Sequence, residues 1–203
     1  TRSSGVVTNE AVSEADAFDQ VRRFLSYLPQ NVWQAPARFA CQDDRLRADA
    51  WLDEAIPLDT RKIYDIRKIL QSVFDRDSLF EMGRSFGGST VTMFGRLDGV
   101  AVGILANDPR VMGGALTLQA ARKMERFIDL CDTFHLPIVN LVDQPGVMFG
   151  RDAEKAGTMQ AAIKAIAAIE QACVPWCAVV LRRAFGVGGQ MHAPQHGPDG
   201  YSL

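Results

Sequence analysis

The chain has 203 residues, 47% of them hydrophobic, so it can bury an ordinary core and suits one domain, or one domain plus a fragment. Its 22 basic and 24 acidic residues leave a net charge of -2, which gives no electrostatic case for a nucleic-acid or anionic-membrane partner. The apolar runs fall far short of the ~18 to 20 residues of a membrane span.

The first residues carry no initiator Met and no secretory signal, and the last, HGPDGYSL, show no closing helix or strand. Both features fit a piece of a longer polypeptide. Four cysteines without a CxxC pair point to a reducing cytoplasm, or to the mitochondrial matrix if an upstream targeting segment is missing.

In chain order, residues 14–28 place Ala17, Val21, Phe24, Leu25 and Leu28 on one helical face, with Ser13 as N-cap and Pro29 beyond the end. Residues 29–60 lack periodicity and read as an extended linker, with a domain boundary near residue 40. A short helix over 64–75 shares Ile66, Ile69, Leu70 and Val73 on a face. VTMFGRL and VAVGILA are β-rich and meet at Asp98-Gly99, a dipeptide suited to a type I′ hairpin turn.

A helix over 116–134, carrying Leu118, Ala121, Phe127, Ile128 and Cys131, leads to the strand IVNLVD. The next helix is expected over about 153–172, with Met159, Ile163, Ile166 and Ala167 at helical spacing and alanines that permit close packing. Strand, helix, strand in succession predicts parallel pairing in the last third and an α/β layered fold.

Two strands run into glycine-bearing turns. Asp143-Gln144-Pro145-Gly146-Val147 follows the first, at the carboxyl end where open α/β sheets bind ligands, and the N–H groups of Gly146 and Val147 are candidates to face one. Taken alone it also suits an ordinary tight turn. Phe185-Gly186-Val187-Gly188-Gly189-Gln190 follows the second and offers close backbone approach and N–H donors for an oxyanion. Its bland alternative is a helix-to-strand contact that excludes side chains.

Other chemistries are weaker. The third glycine of a dinucleotide fingerprint falls on Met191, and Pro194 between His192 and His196 disfavours a two-histidine metal face. His135, before Leu136-Pro137, reads as a loop or core histidine. Arg182 and Arg183 can bind a carboxylate or phosphate, but they, like Arg122, Lys123 and Arg126 beside Glu125 and Asp129, read more simply as solvated basic faces with ion pairs.

Three segments, DGVAVGILANDP, GGALTLQAARKMERFIDLCDTFHLPIVNLVDQPGVMFG and VPWCAVVLRRAFGVGGQM, resemble in order and spacing the carboxyltransferase (beta) subunit of biotin-dependent acyl-CoA carboxylases. SGVV, FDQVRRFLSYLP and WLDEAIPLDTRKIYDIRKIL extend the resemblance over nearly the whole chain. It implies an α/β, crotonase-like (ClpP/crotonase) fold of two related halves. Residues 1–40 then form the tail of the first half plus linker, and 41–203 an incomplete second half.

The resemblance also implies a reaction, carboxyl transfer from carboxybiotin to the α carbon of an acyl-CoA, with backbone oxyanion holes for both reacting oxygens. On this sequence Val187 and Gly188 match the N–H donors to the biotin oxygen. Gly146, Val147 and Gly186 match the biotin pocket, and Gln190 matches a position tied to acyl-group selectivity. The implied partners are an acyl-CoA, a biotin carboxyl carrier, a biotin carboxylase that alone uses ATP, and further copies in a dimer-built hexamer. No metal is implied in this chain.

Two departures from the family pattern affect these expectations. Many members carry aromatic-Gly-Gly-Ala-aromatic-Asp where this chain has Phe-Gly-Val-Gly-Gly-Gln, and Thr or a similar residue often stands at Gln144. The acyl group is thereby left open. A decarboxylase carboxyltransferase and a non-catalytic scaffold of the same fold remain as alternatives.

Overall fold

Strand order follows chain order in this protein. The computed structural model describes residues 3–189, 191–194 and 201–202, and in it six strands form one sheet ordered β1 to β6. β1 (Phe80–Met82), β2 (Thr90–Leu97) and β3 (Val100–Asn107) pair antiparallel; β4 (Ile138–Gln144), β5 (Trp176–Ala184) and β6 (Tyr201–Ser202) continue in parallel from β3.

The β2–β3 hairpin turns at Asp98 (φ 50°) and Gly99 (φ 77°), so both central residues take the positive φ of a type I′ turn, as the dipeptide predicts. The Asp75 carboxylate accepts from the Asp98 and Gly99 N–H groups at 2.9 and 2.8 Å. That satisfies the turn's donors from outside.

Side chains alternate between two faces of the sheet, the period-2 consequence of strand geometry. Phe94, Ala101 and Leu105 belong to a core with α4 (Leu118–Thr133) and α6 (Thr158–Gln171), which also contains Tyr27. Val91, Met93, Val102, Ile104 and Ala106 belong to a second core under α3 (Ile66–Val73). The result is a layered α/β arrangement, as expected.

Local chemistry sets the helix starts. Ser13 caps α1 (Glu14–Leu25) by accepting from Asp16 N, Asp65 caps α3 by accepting from Arg67 N, and Thr117 caps α4 by accepting from Ala120 N. Arg67 on α3 then pairs with Glu81 on β1 and Asp108 just past β3, fastening the helix across the sheet edge. Residues 29–60 are largely irregular, apart from α2 (Leu52–Ala55).

Three expectations need correction. The helix foreseen over 153–172 is divided into α5 (Arg151–Ala156) and α6, because Gly157 adopts a left-handed conformation at φ 81°. Its buried stripe is Ala161, Ala162, Ala165, Ala168 and Ile169, whereas Met159, Ile163 and Ala167 face outward. Small side chains win there because α6 packs closely on α4. Third, Tyr201–Ser202 do form a closing strand, paired to Cys177–Ala178 of β5.

Candidate active site

β4 and β5 lie side by side, so their carboxyl ends deliver the two glycine turns to one place. After Gln144 the chain passes through Pro145 and Gly146 to Val147. After Ala184 it passes through Phe185 into α7 (Gly186–Gly189). The contact between them is close: a Cβ on Gly188 would stand 3.1 Å from Gly146 Cα and 3.2 Å from Gln144 Cγ. Phe185 N donates to Gln144 O at 3.0 Å, a further stitch between the turns.

The first turn is held on its other side by Leu116. Leu116 N donates to Gly146 O at 3.0 Å, and Met148 N to Leu116 O at 2.9 Å, forming a parallel bridge at Val147. Gly146 N–H is taken by its neighbour, donating to Gln144 Oε1 at 3.1 Å. The expectation that both N–H groups of this turn face a ligand is therefore corrected for Gly146. Val147 is partly buried and packs on the core.

The second turn is open. Val187 is 51% exposed and Phe185 59%, and a Cβ on Gly186 would meet nothing within 4 Å. The opening peptide units of a helical turn have no intrahelical acceptor for their N–H groups. Among the described residues no side chain covers Gly186, and this space makes the turn fit for a planar ligand carrying a partially negative oxygen. Gln190, the expected selectivity position, lies outside the described residues.

Behind α7 sits His192, 8% exposed. Burial pushes its imidazole down to about 4, against a smaller opposing pull from the Gly188 backbone, so it is neutral at physiological pH. Its carbonyl oxygen accepts from Trp176 Nε1 at 2.5 Å and Asn140 Nδ2 at 3.3 Å. Those contacts fix the chain just beyond the second turn. His135 is a loop residue with φ 58°, its ring nitrogen 2.7 Å from Val32 O.

Sequence reading missed the charged centre beneath the turns. Asp143, fully buried, accepts from Arg182 Nη2 at 2.9 Å, Arg183 Nε at 2.6 Å and Tyr64 OH at 3.0 Å. Burial raises its carboxyl pKa, but hydrogen bonds from Arg183, Arg182 and Tyr64 outweigh that and hold it below the ordinary value. The reading of Arg182 and Arg183 as a solvated face is corrected, since their side chains are only 8% and 14% exposed. A buried-strand aspartate next to the end of β4 was the available signal.

Lys123 is likewise no surface residue. It is buried, its Nζ donates to Gly83 O at 3.1 Å, and burial depresses its pKa to about 8. Arg126 Nη1 donates to Gly5 O at 2.9 Å, tying the same helix to the first residues. The one group of possible metal ligands among the described residues is Cys41, Asp43 and Asp75. Asp75 is committed to the hairpin turn and Asp43 accepts from Arg76 N at 2.7 Å, so these carboxylates already serve the fold. No helix among the described residues is long and apolar enough to cross a membrane.

The chain is similar to known proteins over nearly its whole length. Residues 1–199 match the family described as carboxyl transferase domain. The chain is 41% identical over 196 residues to a propionyl-CoA carboxylase carboxyltransferase subunit of Haloferax mediterranei, covering 97% of this chain and 38% of that protein. It is 36% identical over 183 residues to the methylmalonyl-CoA decarboxylase subunit alpha of Veillonella parvula, covering 90% of this chain and 36% of that one. The transcarboxylase 12S structure, a hexamer with methylmalonyl-coenzyme A bound, superposes with a TM-score of 0.90 at 33% identity, over 94% of this chain and 36% of that one. The chain thus spans little more than a third of the relatives it matches.

Proposed function

Because this chain belongs to the carboxyl transferase domain family, with a crotonase-like α/β fold, we propose that it forms the biotin-facing half of a site that moves a carboxyl group between carboxybiotin and an acyl-CoA. The observation that carries this reading is the contact of Gly188 with Gly146, which makes two glycine turns a single surface with one side open. Biotin, carried by a partner protein, supplies the carboxyl group, and its ureido oxygen gains negative charge as that group leaves. The chain's own residues have a narrower task. The N–H groups of Val187 and Gly188 donate to that oxygen, while Gly146, Val147 and Gly186 line the pocket for the ring.

Preorganised backbone donors suit this chemistry because they need no reorientation when charge develops. No side-chain nucleophile or base is required either, because the α proton of the acyl-CoA passes to the biotin that has given up its carboxyl group. Gln190 is assigned to acyl-group selectivity, and the thioester oxygen is assigned to donors in the other half of a whole subunit. That subunit works as a dimer-built hexamer with a biotin carboxylase and carrier protein, where ATP is spent.

The test is label transfer from bicarbonate through the biotinylated partners to a panel of acyl-CoAs, using the full-length subunit. Biotin-dependent labelling of at least one acyl-CoA is expected, and labelling of none ends the proposal. Val187→Pro, which deletes one donor, should lower turnover by about 100- to 1000-fold. A second reading runs the reaction toward decarboxylation and rests on the 36% identity to the methylmalonyl-CoA decarboxylase subunit. Partner dependence separates the two, since only the carboxylase direction needs ATP.

A further inference from the structure

The pairing of β4 with β5 contains an irregularity just below the two turns. Val142 pairs with Val180, and the next pair is Gln144 with Ala184. Two steps along β4 therefore correspond to four along β5. In a regular strand, consecutive side chains point to opposite faces. Here the consecutive Arg182 and Arg183 both reach one carboxylate, that of Asp143.

Each arginine also reaches beyond it. Arg182 Nη1 donates to Lys62 O at 2.9 Å, and its guanidinium lies over the Tyr64 ring at 5.1 Å, while Arg183 Nη2 donates to Gly113 O at 2.8 Å. Asp143 itself is held at its N–H by Asn107 Oδ1 at 3.0 Å. Four separate segments of chain thus meet at one residue. Immediately past it, Gln144 and Ala184 resume pairing and the two turns begin.

We infer that Asp143 is a positioning residue for carboxyl transfer: by gathering both arginines of the bulged β5, it sets the register at which Val187 and Gly188 arrive against the Gly146 turn. It touches neither reactant. The inference rests on the transfer reading above. Its physical basis is that a bulge stores extra length which slides unless something fixes it, and one buried carboxylate that takes Nε and Nη2 of Arg182 and Nε of Arg183 fixes it at two consecutive residues. The thioester donors are assigned to the other half of the subunit and only Gln190 follows this turn, so the consequences fall mainly on biotin.

The experiment uses the full-length subunit, with free biotin as the carboxyl acceptor, a carboxylated acyl-CoA as the donor, and KM measured separately for biotin and for the acyl-CoA. Asp143→Asn and Arg183→Met should each lower kcat/KM for biotin by about 10- to 100-fold, the scale of a misplacement near 1 Å. The KM for the acyl-CoA should stay within about twofold. Arg183→Lys keeps the charge and one donor for Asp143 but loses the second donor, to Gly113 O, and should recover only part of the loss.

Should Asp143→Asn fail to fold, the Arg183 pair carries the same comparison. Equal changes in both KM values, or an Asp143→Asn enzyme within about twofold of the parent, would overturn the positioning role. A parent subunit that transfers no carboxyl group to biotin would sink the transfer reading itself, and this inference with it.

Discussion

The turn after β4 and the turn after β5 are made of similar residues and stand in contact, yet the fold treats them oppositely. The first is stitched on both sides, to Leu116 by a backbone bridge and to Gln144 through its own N–H. The second has a half-exposed valine and open space beside Gly186. Glycine thus serves rigidity in one place and access in the other. An oxyanion site needs both, a fixed floor and an uncovered donor.

This contrast is easiest to break at its anchor. Leu116 is 1% exposed, so Leu116→Ala should cost about 2 to 5 kcal/mol of stability, read from the urea midpoint. A loss below about 1 kcal/mol would mean the Leu116 side chain is not what seats this bridge in the core.

The support behind the second turn is pH-sensitive. His192 has its pKa depressed from 6.5 to about 4 in the folded state, so between those values the unfolded chain takes up a proton that the folded one refuses. Stability from this group is full above pH 6.5 and is lost as pH falls toward 4. The ceiling is about 3 kcal/mol, since each pH unit is worth about 1.4 kcal/mol. His192→Gln should flatten the difference between unfolding at pH 7 and at pH 4.5. An unchanged slope would place the acid sensitivity elsewhere.

Smaller effects belong to the meeting point and then to the open side. Gly188→Val puts methyl groups against Gly146 Cα, already 3.1 Å from a Cβ there, and should cost about 1 to 3 kcal/mol together with most of the turnover. Val187→Ala should alter stability by less than about 0.5 kcal/mol, because the side chain is half in solvent. If thermal unfolding ranks those two in reverse, the division into floor and rim is mistaken.

Much of this was legible before any coordinates. Period-3.6 apolar faces located α1, α3 and α4, Ser13 was legible as the cap of the first, and Asp98-Gly99 announced the hairpin. What stayed hidden depended on distance through space. Lys123 looks like any helix-surface lysine until Gly83, forty residues earlier, turns its carbonyl toward it. Arg182 and Arg183 look solvated for the same reason, since neither a bulge nor the Tyr64 contact leaves a local mark.

The α6 stripe failed differently. Spacing favoured Met159 and Ile163, but the buried side is mostly alanine, Ala161, Ala162, Ala165 and Ala168, with Ile169 the one large group near its end. Hydrophobicity alone ranks the larger side chains first, and steric room reverses the order. The two glycine turns were found, but not their internal bonding. Gly146 N–H was open to either use until the Gln144 side chain was placed.

The strand order, unbroken from β1 to β6, has a kinetic side. No strand must be inserted between two that are already paired. As the chain leaves the ribosome, the β2–β3 hairpin closes first through a local turn, and β4 and then β5 each add to an edge that already exists. Chain order therefore predicts that in refolding the turn after β4 gains hydrogen-exchange protection no later than its counterpart after β5, the floor of the site preceding the donor turn laid onto it.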